Sequence, residues 1–194
     1  TDAEAFSLMH RAYISEQQDG LVSASDDALQ ALSLYQKKGK DTFAVLACSL
    51  LGRLFSKAGK YRQSRQMLLS ALRGMKHRDL EGVVSEIYVH LAENEILHIF
   101  SEGTLSAKET ASLRRYAAAA GKDKSGILIP EVRFKNAYIG FLAQLLCSDA
   151  QKKKCEAYEV YSSLPDCFKE SAGKYIRTYS PFLSICEASQ GILR

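Results

Sequence analysis

The chain contains no proline before Pro130. Proline is the residue that helix interiors tolerate least, so a long stretch without it favours one helix after another. β-branched residues are sparse and never alternate with polar residues over the length of a strand, so no strand is predicted. The apolar periodicity lapses instead at Gly20, Gly39, Gly59, Gly103 and Gly121. We therefore predict an all-α chain whose helices end at these glycines.

Between the glycines, apolar residues recur at helical spacing and predict about 8–10 helices. The face predicted for the first helix consists of Phe6, Met9 and Tyr13. The fifth helix is predicted to be the longest, at roughly 79–101. Pro130 suits the first turn of a later helix, and Pro181 predicts a break or kink in the last one. Short loops between these helices imply antiparallel neighbours.

The composition excludes several classes of protein. Hydrophobic residues make up 46% and charged residues 25% of the chain, which is typical of a globular domain and excludes a disordered one. No apolar run approaches the ~18 residues that a membrane span needs. The five cysteines are odd in number and form no C-x-x-C pair, and Cys48 lies in an apolar run as a buried thiol would. We expect a reduced, intracellular protein of the cytoplasm or the nucleus.

No catalytic or metal-binding constellation is found in the sequence. His90 and His98 lie about two helical turns apart, or ~12 Å, which is too far for both to bind one metal without a third element. They are interpreted as solvated positions on a helix. The segment G-K-D-K-S-G at 121–126 lacks P-loop spacing and a preceding strand, and is interpreted as a connector. We predict a protein that is not an enzyme and has no cofactor and no metal.

One stretch of the chain carries a repeat motif. Residues 50–72 read L-L-G-R-L-F-S-K-A-G-K-Y-R-Q-S-R-Q-M-L-L-S-A-L, which resembles the tetratricopeptide repeat (TPR). The matching residues are Leu51, Gly52, Phe55, Gly59, Tyr61, Ser64, Leu68, Ala71 and Leu72. A helix can approach closely at Gly52, and Ser64 and Ala71 are small where another helix crosses. Cys48 stands at the usual aromatic position and Lys76 at the usual closing proline. The resemblance is clearest over 45–78.

The resemblance implies a right-handed superhelix of antiparallel helix pairs, with capping helices at its ends. We predict a single TPR-like domain over 1–194. Its predicted parts are a degenerate repeat over 1–40, the best repeat over 41–78, a repeat with a long first helix over 79–121, a degenerate helix pair over 127–164, and a capping helix or the start of another repeat over 165–194.

Charge is segregated along the chain. The basic block, residues 53–78, contains only basic charged residues, whereas the acidic block, residues 81–109, contains six glutamates and a single lysine. In the TPR family the first helix of each repeat lines a concave groove that receives peptides. The resemblance therefore implies a groove site, which consists of Ser49, Arg53, Ser56 and Lys57. The family's chaperone-tail binders use a Lys/Asn carboxylate clamp, and the matching positions here carry Ser49 and Arg53.

Two interpretations of the basic pair Arg53 and Lys57 stay open. The pair is four residues apart on one helix and would suit an acidic peptide or a free carboxylate. The alternative is that both cations pair with Glu86 and Glu93 on the next stacked helix. Nucleic acid is not favoured as a partner, because the adjacent acidic block would repel phosphate.

The function expected from this resemblance is a scaffold or adaptor that binds a protein, a peptide or a partner helix in its concave groove. One alternative is a peptide-sensing regulatory domain of a signalling or transcription regulator, and another is an RNA-binding helical-repeat module. The chain does not begin with Met, so we expect it to be part of a longer protein. The apolar residues of the final segment are expected to contact that missing part: Tyr175, Tyr179, Phe182 and Leu183.

Overall fold

A computed structural model describes residues 1–75, 81–102, 107–122, 130–144 and 160–192 of the chain. The helices in these ranges are α1 (Asp2–Gln17), α2 (Leu21–Lys37), α3 (Asp41–Lys57), α4 (Tyr61–Gly74), α5 (Glu81–Glu102), α6 (Ala107–Ala120), α7 (Pro130–Gln144) and α8 (Asp166–Ile192). No strand occurs in the described ranges, so the all-α prediction is confirmed for them. Within the same ranges no helix combines the length and the apolar character needed to cross a membrane.

The predicted helix boundaries hold at two places and are wrong at a third. α5 covers nearly the predicted range, and α7 begins at Pro130 as expected. Of the break or kink predicted at Pro181, the break is wrong, because α8 continues through this residue. A proline removes one intrahelical hydrogen bond, and a helix of 27 residues keeps the bonds on either side of it. The predicted helix end at Gly103 lies outside the described residues.

The chain divides into two compact units, unit 1 (Thr1–Leu80) and unit 2 (Glu81–Arg194). In unit 1, α1 packs against α2, α2 against α3, and α3 against α4. Turns of a few residues join these helices, so consecutive helices are antiparallel.

Three turns of unit 1 share one hydrogen-bond pattern. The backbone N–H groups of Gly20, Lys40 and Lys60 each donate to the carbonyl five positions earlier, at 2.8–2.9 Å. The residue before each donor has a positive φ: 58° at Asp19, 63° at Gly39 and 72° at Gly59. This is the Schellman motif that ends helices. The three turns are evenly spaced along the chain, so the hairpin α1–α2 corresponds to the hairpin α3–α4, with Gly20 aligned to Lys60.

α1, α2 and α3 end in the turns that contain Gly20, Gly39 and Gly59, as predicted, but Gly20 does not take the left-handed position in its turn. Asp19 takes the left-handed position at the end of α1, and Gly20 precedes the first residue of α2. Aspartate enters this region at modest cost because its short polar side chain can bond locally.

The alignment of the two hairpins also matches the small residues at the helix crossings. The aligned pairs, all buried, are Ala12 with Gly52, Ala24 with Ser64, and Ala31 with Ala71. A Cβ atom added at Gly52 would overlap Leu68 Cγ and lie only 2.6 Å from Leu68 Cδ2. The prediction that α4 approaches α3 closely at Gly52 is therefore confirmed. Apolar side chains around these crossings fill the core of unit 1, chiefly Leu50, Leu51, Leu54 and Leu68.

In unit 2, α5 packs against α6 and α7, and α7 also packs against α6 and α8. Polar side chains on α5 are buried as a result: Ser85, His90, Asn94 and Glu95. The interpretation of His90 as a solvated residue is therefore wrong, since its ring is enclosed and its Nδ1 lies 2.7 Å from Glu93 Oε2. Asn136 Nδ2 donates to Ser85 Oγ at 2.8 Å and to the Ala120 carbonyl at 3.1 Å, which joins α7 to α5 and α6.

An aromatic cluster ties α8 to α7. Its rings belong to Phe134, Tyr138, Phe141, Tyr161, Tyr175 and Tyr179. Tyr175 lies 5.9 Å from Tyr138 and 6.3 Å from Phe134, measured between ring centroids. Burial, and then the negative charge of Glu93, raise the pKa of Tyr175 well above its ordinary value. Tyr175 and Tyr179 thus pack within unit 2, and the side chains of Phe182 and Leu183 lie outside the described residues.

Candidate partner-binding site

The helices α1 and α3 of unit 1 meet near both of their ends. Near their first residues, Phe6 of α1 and Phe43 of α3 line the same cleft. Near their last residues, Glu16 of α1 contacts Arg53 and Lys57 of α3. The two helices therefore run side by side and present a shared surface, which we call the α1–α3 face.

Glu16 is the centre of an ion cluster on this face. Arg53 Nε donates to Glu16 Oε1 at 2.9 Å, and Arg53 Nη2 donates to Glu16 Oε2 at 2.6 Å. Lys57 Nζ donates to Glu16 Oε1 at 2.7 Å. A forked guanidinium contact of this kind is among the stronger ion pairs in proteins because it is made of two parallel charge-assisted hydrogen bonds.

The burial of Glu16 makes its charge state depend on these two cations. Only 4% of the residue is exposed. Burial by itself would raise the pKa of the carboxyl group, but the hydrogen bonds and positive charges of Arg53 and Lys57 outweigh burial and lower the pKa below its ordinary value. The carboxylate is thus ionised at neutral pH. The three residues together carry one excess positive charge.

The four residues predicted to form the groove site differ in accessibility. Lys57 is the most open, with 49% of its side chain exposed, and Arg53 is half-buried with 26% exposed. Ser49 is also half-buried. Ser56 is buried, and its hydroxyl has no hydrogen-bond partner within the described parts of the chain. Lys57 is therefore the member of the set best placed to contact a partner.

Two carboxylates of the acidic block, Glu86 and Glu93, contact His90 on the same helix. Glu93 lies against His90, and Glu86 Oε1 is 3.5 Å from His90 Nε2. The pKa of Glu93 is lowered below its ordinary value. Burial by itself would raise it, but the opposing contributions, of which the charge and hydrogen bond of His90 are the largest, outweigh burial. Neither of the two interpretations of Arg53 and Lys57 included Glu16, the carboxylate that both cations contact.

Aromatic side chains lie beside the ion cluster. The guanidinium of Arg53 is 5.8 Å from the centroid of the Tyr13 ring, within the range of a cation–π contact. Tyr13 is 40% exposed and Phe6 is 56% exposed. The prediction that Phe6 and Tyr13 lie on the core face of the first helix is therefore wrong. α1 buries Ala5, Leu8, Met9 and Ala12 instead, because the small alanines allow α2 to approach closely.

Sequence reasoning missed Glu16 and Tyr13 as site residues. Both could have been found by aligning the two hairpins, because Tyr13 corresponds to Arg53 and Glu16 to Ser56. That alignment depends on the left-handed residue in the first turn, Asp19. A search for glycines alone does not find this residue, so the register of the first hairpin was not recognised.

Nothing in the described ranges points to a metal centre: no three His, Cys, Asp or Glu side chains there lie close enough together to hold an ion. Two cysteines in the described ranges form no disulfide bond. Cys48 is buried, as predicted, and Cys167 is exposed. Burial raises the pKa of the Cys48 thiol, which makes it a poor nucleophile.

The chain is thus an all-α protein whose first four helices form hairpins. Its α1–α3 face is both cationic and aromatic. Comparisons with protein-family models, with curated proteins and with solved structures found no match.

Proposed function

We propose that the chain is a non-enzymatic scaffold with a TPR-like superhelical arrangement of its helix pairs, and that it binds a segment of another protein across the α1–α3 face. Support for the TPR-like arrangement comes from unit 1, where the turns recur at even spacing and small residues recur at corresponding helix crossings. In such an arrangement α1 and α3 are the first helices of consecutive pairs, and their shared face is the groove.

The observation that carries the proposal is the composition of this face. A buried carboxylate, Glu16, holds Arg53 in place through two hydrogen bonds, while half of the Lys57 side chain remains exposed. Held cations lose less conformational entropy on binding than mobile ones. The excess positive charge favours an acidic segment, and the exposed Tyr13 ring beside Arg53 offers apolar contact to the same segment.

Lys57→Ala is the variant that tests the proposal. Arg53 is unsuitable, because its removal would leave buried Glu16 with fewer partners and destabilise unit 1. Lys37 provides the matched control, since it is an exposed lysine at the last position of α2 just as Lys57 is at the last position of α3.

The experiment is affinity capture from the native cell with the wild-type chain, Lys57→Ala and Lys37→Ala, with and without RNase treatment. We expect Lys57→Ala to lose protein partners that the wild type and Lys37→Ala retain. Because Lys57→Ala also removes one hydrogen bond to buried Glu16, its melting temperature should fall, and capture is measured at a temperature at which circular dichroism shows all three chains folded. Equal capture by all three chains contradicts the proposal. Partners that disappear on RNase treatment would point to the RNA-binding alternative.

A further inference from the structure

A cleft of about 340 Å³ opens near the first residues of α1 and α3. Its walls are mostly apolar and aromatic, and the lining residues are Asp2, Ala3, Phe6, Tyr35, Lys40 and Phe43. The rings of Tyr35 and Phe43 stack with centroids 5.3 Å apart, and Tyr35 is buried. Phe6 and Phe43 are 56% and 45% exposed, so their rings stand at the mouth of the cleft. This volume is at the small end of ligand sites and suits one large apolar side chain.

The rim of the cleft repeats the charge pattern of the Glu16 cluster. Asp2 Oδ1 accepts a hydrogen bond from Lys38 Nζ at 2.9 Å, and Asp2 Oδ2 lies 3.7 Å from Lys40 Nζ. One carboxylate therefore faces two lysines, and these three residues also carry one excess positive charge. Lys38 and Lys40 thus add cations at this end of the α1–α3 face.

The cleft and the Glu16 cluster lie on the same side of the two helices. Phe6 and Tyr13 are seven residues apart on α1, and Phe43 and Lys57 are fourteen apart on α3. Because seven residues make nearly two full turns, each pair shares a face.

The distance between the two sites follows from the helix rise. Phe6 and Glu16 are ten residues apart, as are Phe43 and Arg53, which gives ~15 Å along the helix axis. An extended peptide advances ~3.3 Å per residue, so four to five residues would cover that distance.

We infer that the α1–α3 face binds an extended acidic segment of a partner protein at two points, with a large apolar side chain in the Phe6–Phe43 cleft and a carboxylate at Arg53 and Lys57, four or five residues apart. This inference rests on the proposed function and adds to it the chemistry and the spacing of the bound segment.

The test uses the full chain and a phage-displayed library of short random peptides. Enriched peptides are synthesised with a fluorophore, and their Kd values are measured by anisotropy. We expect them to pair a large apolar residue with Asp or Glu four or five positions away. Phe43→Ala and Lys57→Ala should each weaken binding about tenfold, as expected for loss of an anchor at the centre of a contact.

Leu29→Ala is the matched apolar control, because Leu29 is on α2 and is 44% exposed, against 45% for Phe43. It should bind as the wild type does. Replacing the peptide's apolar anchor by Ala should weaken binding to the wild type about tenfold, but change binding to Phe43→Ala little, since the two changes remove the same contact. If Phe43→Ala loses its helical circular dichroism, Phe6→Ala takes its place.

The outcomes separate this inference from the proposed function. Peptides that depend on Lys57 but bind Phe43→Ala and Phe6→Ala normally overturn the two-point inference and leave the proposed function standing. Peptides that depend on Phe43 but not on Lys57 also overturn it. Enriched peptides that tolerate all these changes, or no enrichment above an unrelated helical protein, overturn both.

Discussion

The carboxyl group of Glu16 is buried between a guanidinium and an ammonium group, and this links its protonation to the stability of unit 1. Its pKa in the folded chain lies below the ordinary value of 4.5. Such a group contributes its full stabilisation above the unfolded pKa and loses it as the pH falls through the folded pKa. The ion cluster therefore stabilises the fold at neutral pH and fails in acid.

We predict that Glu16→Gln lowers the free energy of unfolding at neutral pH by about 1–3 kcal/mol, because the amide cannot satisfy both cations. The difference from the wild type should shrink as the pH falls through the lowered pKa of folded Glu16, where the wild-type carboxylate takes up its proton. Urea denaturation of both chains at several pH values measures this.

Glu170→Gln is the control for this prediction. Glu170 and Lys174 form an exposed ion pair at 3.1 Å, and pairs of this kind contribute about 0–1 kcal/mol. A stability difference between wild type and Glu16→Gln that stays constant from neutral to acid pH would contradict the assigned role of the charge.

At Gly52 the packing of α3 against α4 leaves no room for a side chain. We predict that Gly52→Ala destabilises unit 1 by about 1–3 kcal/mol, because the new methyl group overlaps buried Leu68. Gly140→Ala is the matched control, since Gly140 is also inside a helix but has open space at the Cβ position. It should be neutral or stabilising by roughly 0.5–1 kcal/mol. Equal chemical-denaturation midpoints for the two variants would show that α3 and α4 can separate without cost.

At the scale of helices and turns, the periodic unit from α1 to α4 is a helix followed by a tight turn, and the first three of these turns are Schellman motifs. Apolar periodicity located the helices, because burying one face of a helix leaves a 3.6-residue pattern in the sequence. It did not determine which apolar residues of α1 face inwards. Ala5 and Ala12 are buried while Phe6 and Tyr13 are exposed, and close packing against α2, not side-chain hydrophobicity, makes that choice.

The turn after α3 provides a test at this scale. Gly59 has φ 72°, and a Cβ atom there would meet nothing within 4 Å, so any cost of substitution is conformational. We predict that Gly59→Ala destabilises the chain by about 1–2 kcal/mol and that Gly59→Asn costs less, because asparagine tolerates the left-handed region.

Gly121→Ala is the control for the turn, since Gly121 follows α6 without a positive φ. It should leave the denaturation midpoint nearly unchanged. If Ala and Asn at position 59 cost the same, left-handed backbone strain is not the reason for glycine at that turn.

At the scale of the whole molecule, unit 1 has its own helices, turns and core within residues 1–80. We predict that a fragment of residues 1–80 is helical by circular dichroism and unfolds cooperatively on heating. Gly52→Ala in this fragment should lower the melting temperature by about 4–8 °C for each kcal/mol lost. A fragment without helical signal would show that unit 1 depends on the rest of the chain, since small cores are only marginally stable.

The sequence alone determined the fold class and the approximate helix boundaries, which depend on two local properties, proline placement and helical periodicity. The close approach at Gly52 was predicted through the resemblance of residues 50–72 to the tetratricopeptide repeat. The sequence also identified Arg53 and Lys57 as a neighbouring pair, because four residues make about one helical turn.

Only the tertiary structure decided which groups meet. Glu16 is 37 residues before Arg53, and nothing in the local pattern pairs them. The same holds for the cleft, where α1, α2 and α3 contribute Phe6, Tyr35 and Phe43. The burial of His90 has the same origin, since α5 packs against α6 and α7. Periodicity reports how one helix divides into buried and exposed sides, whereas the identity of the neighbour across the interface depends on how helices distant in sequence pack.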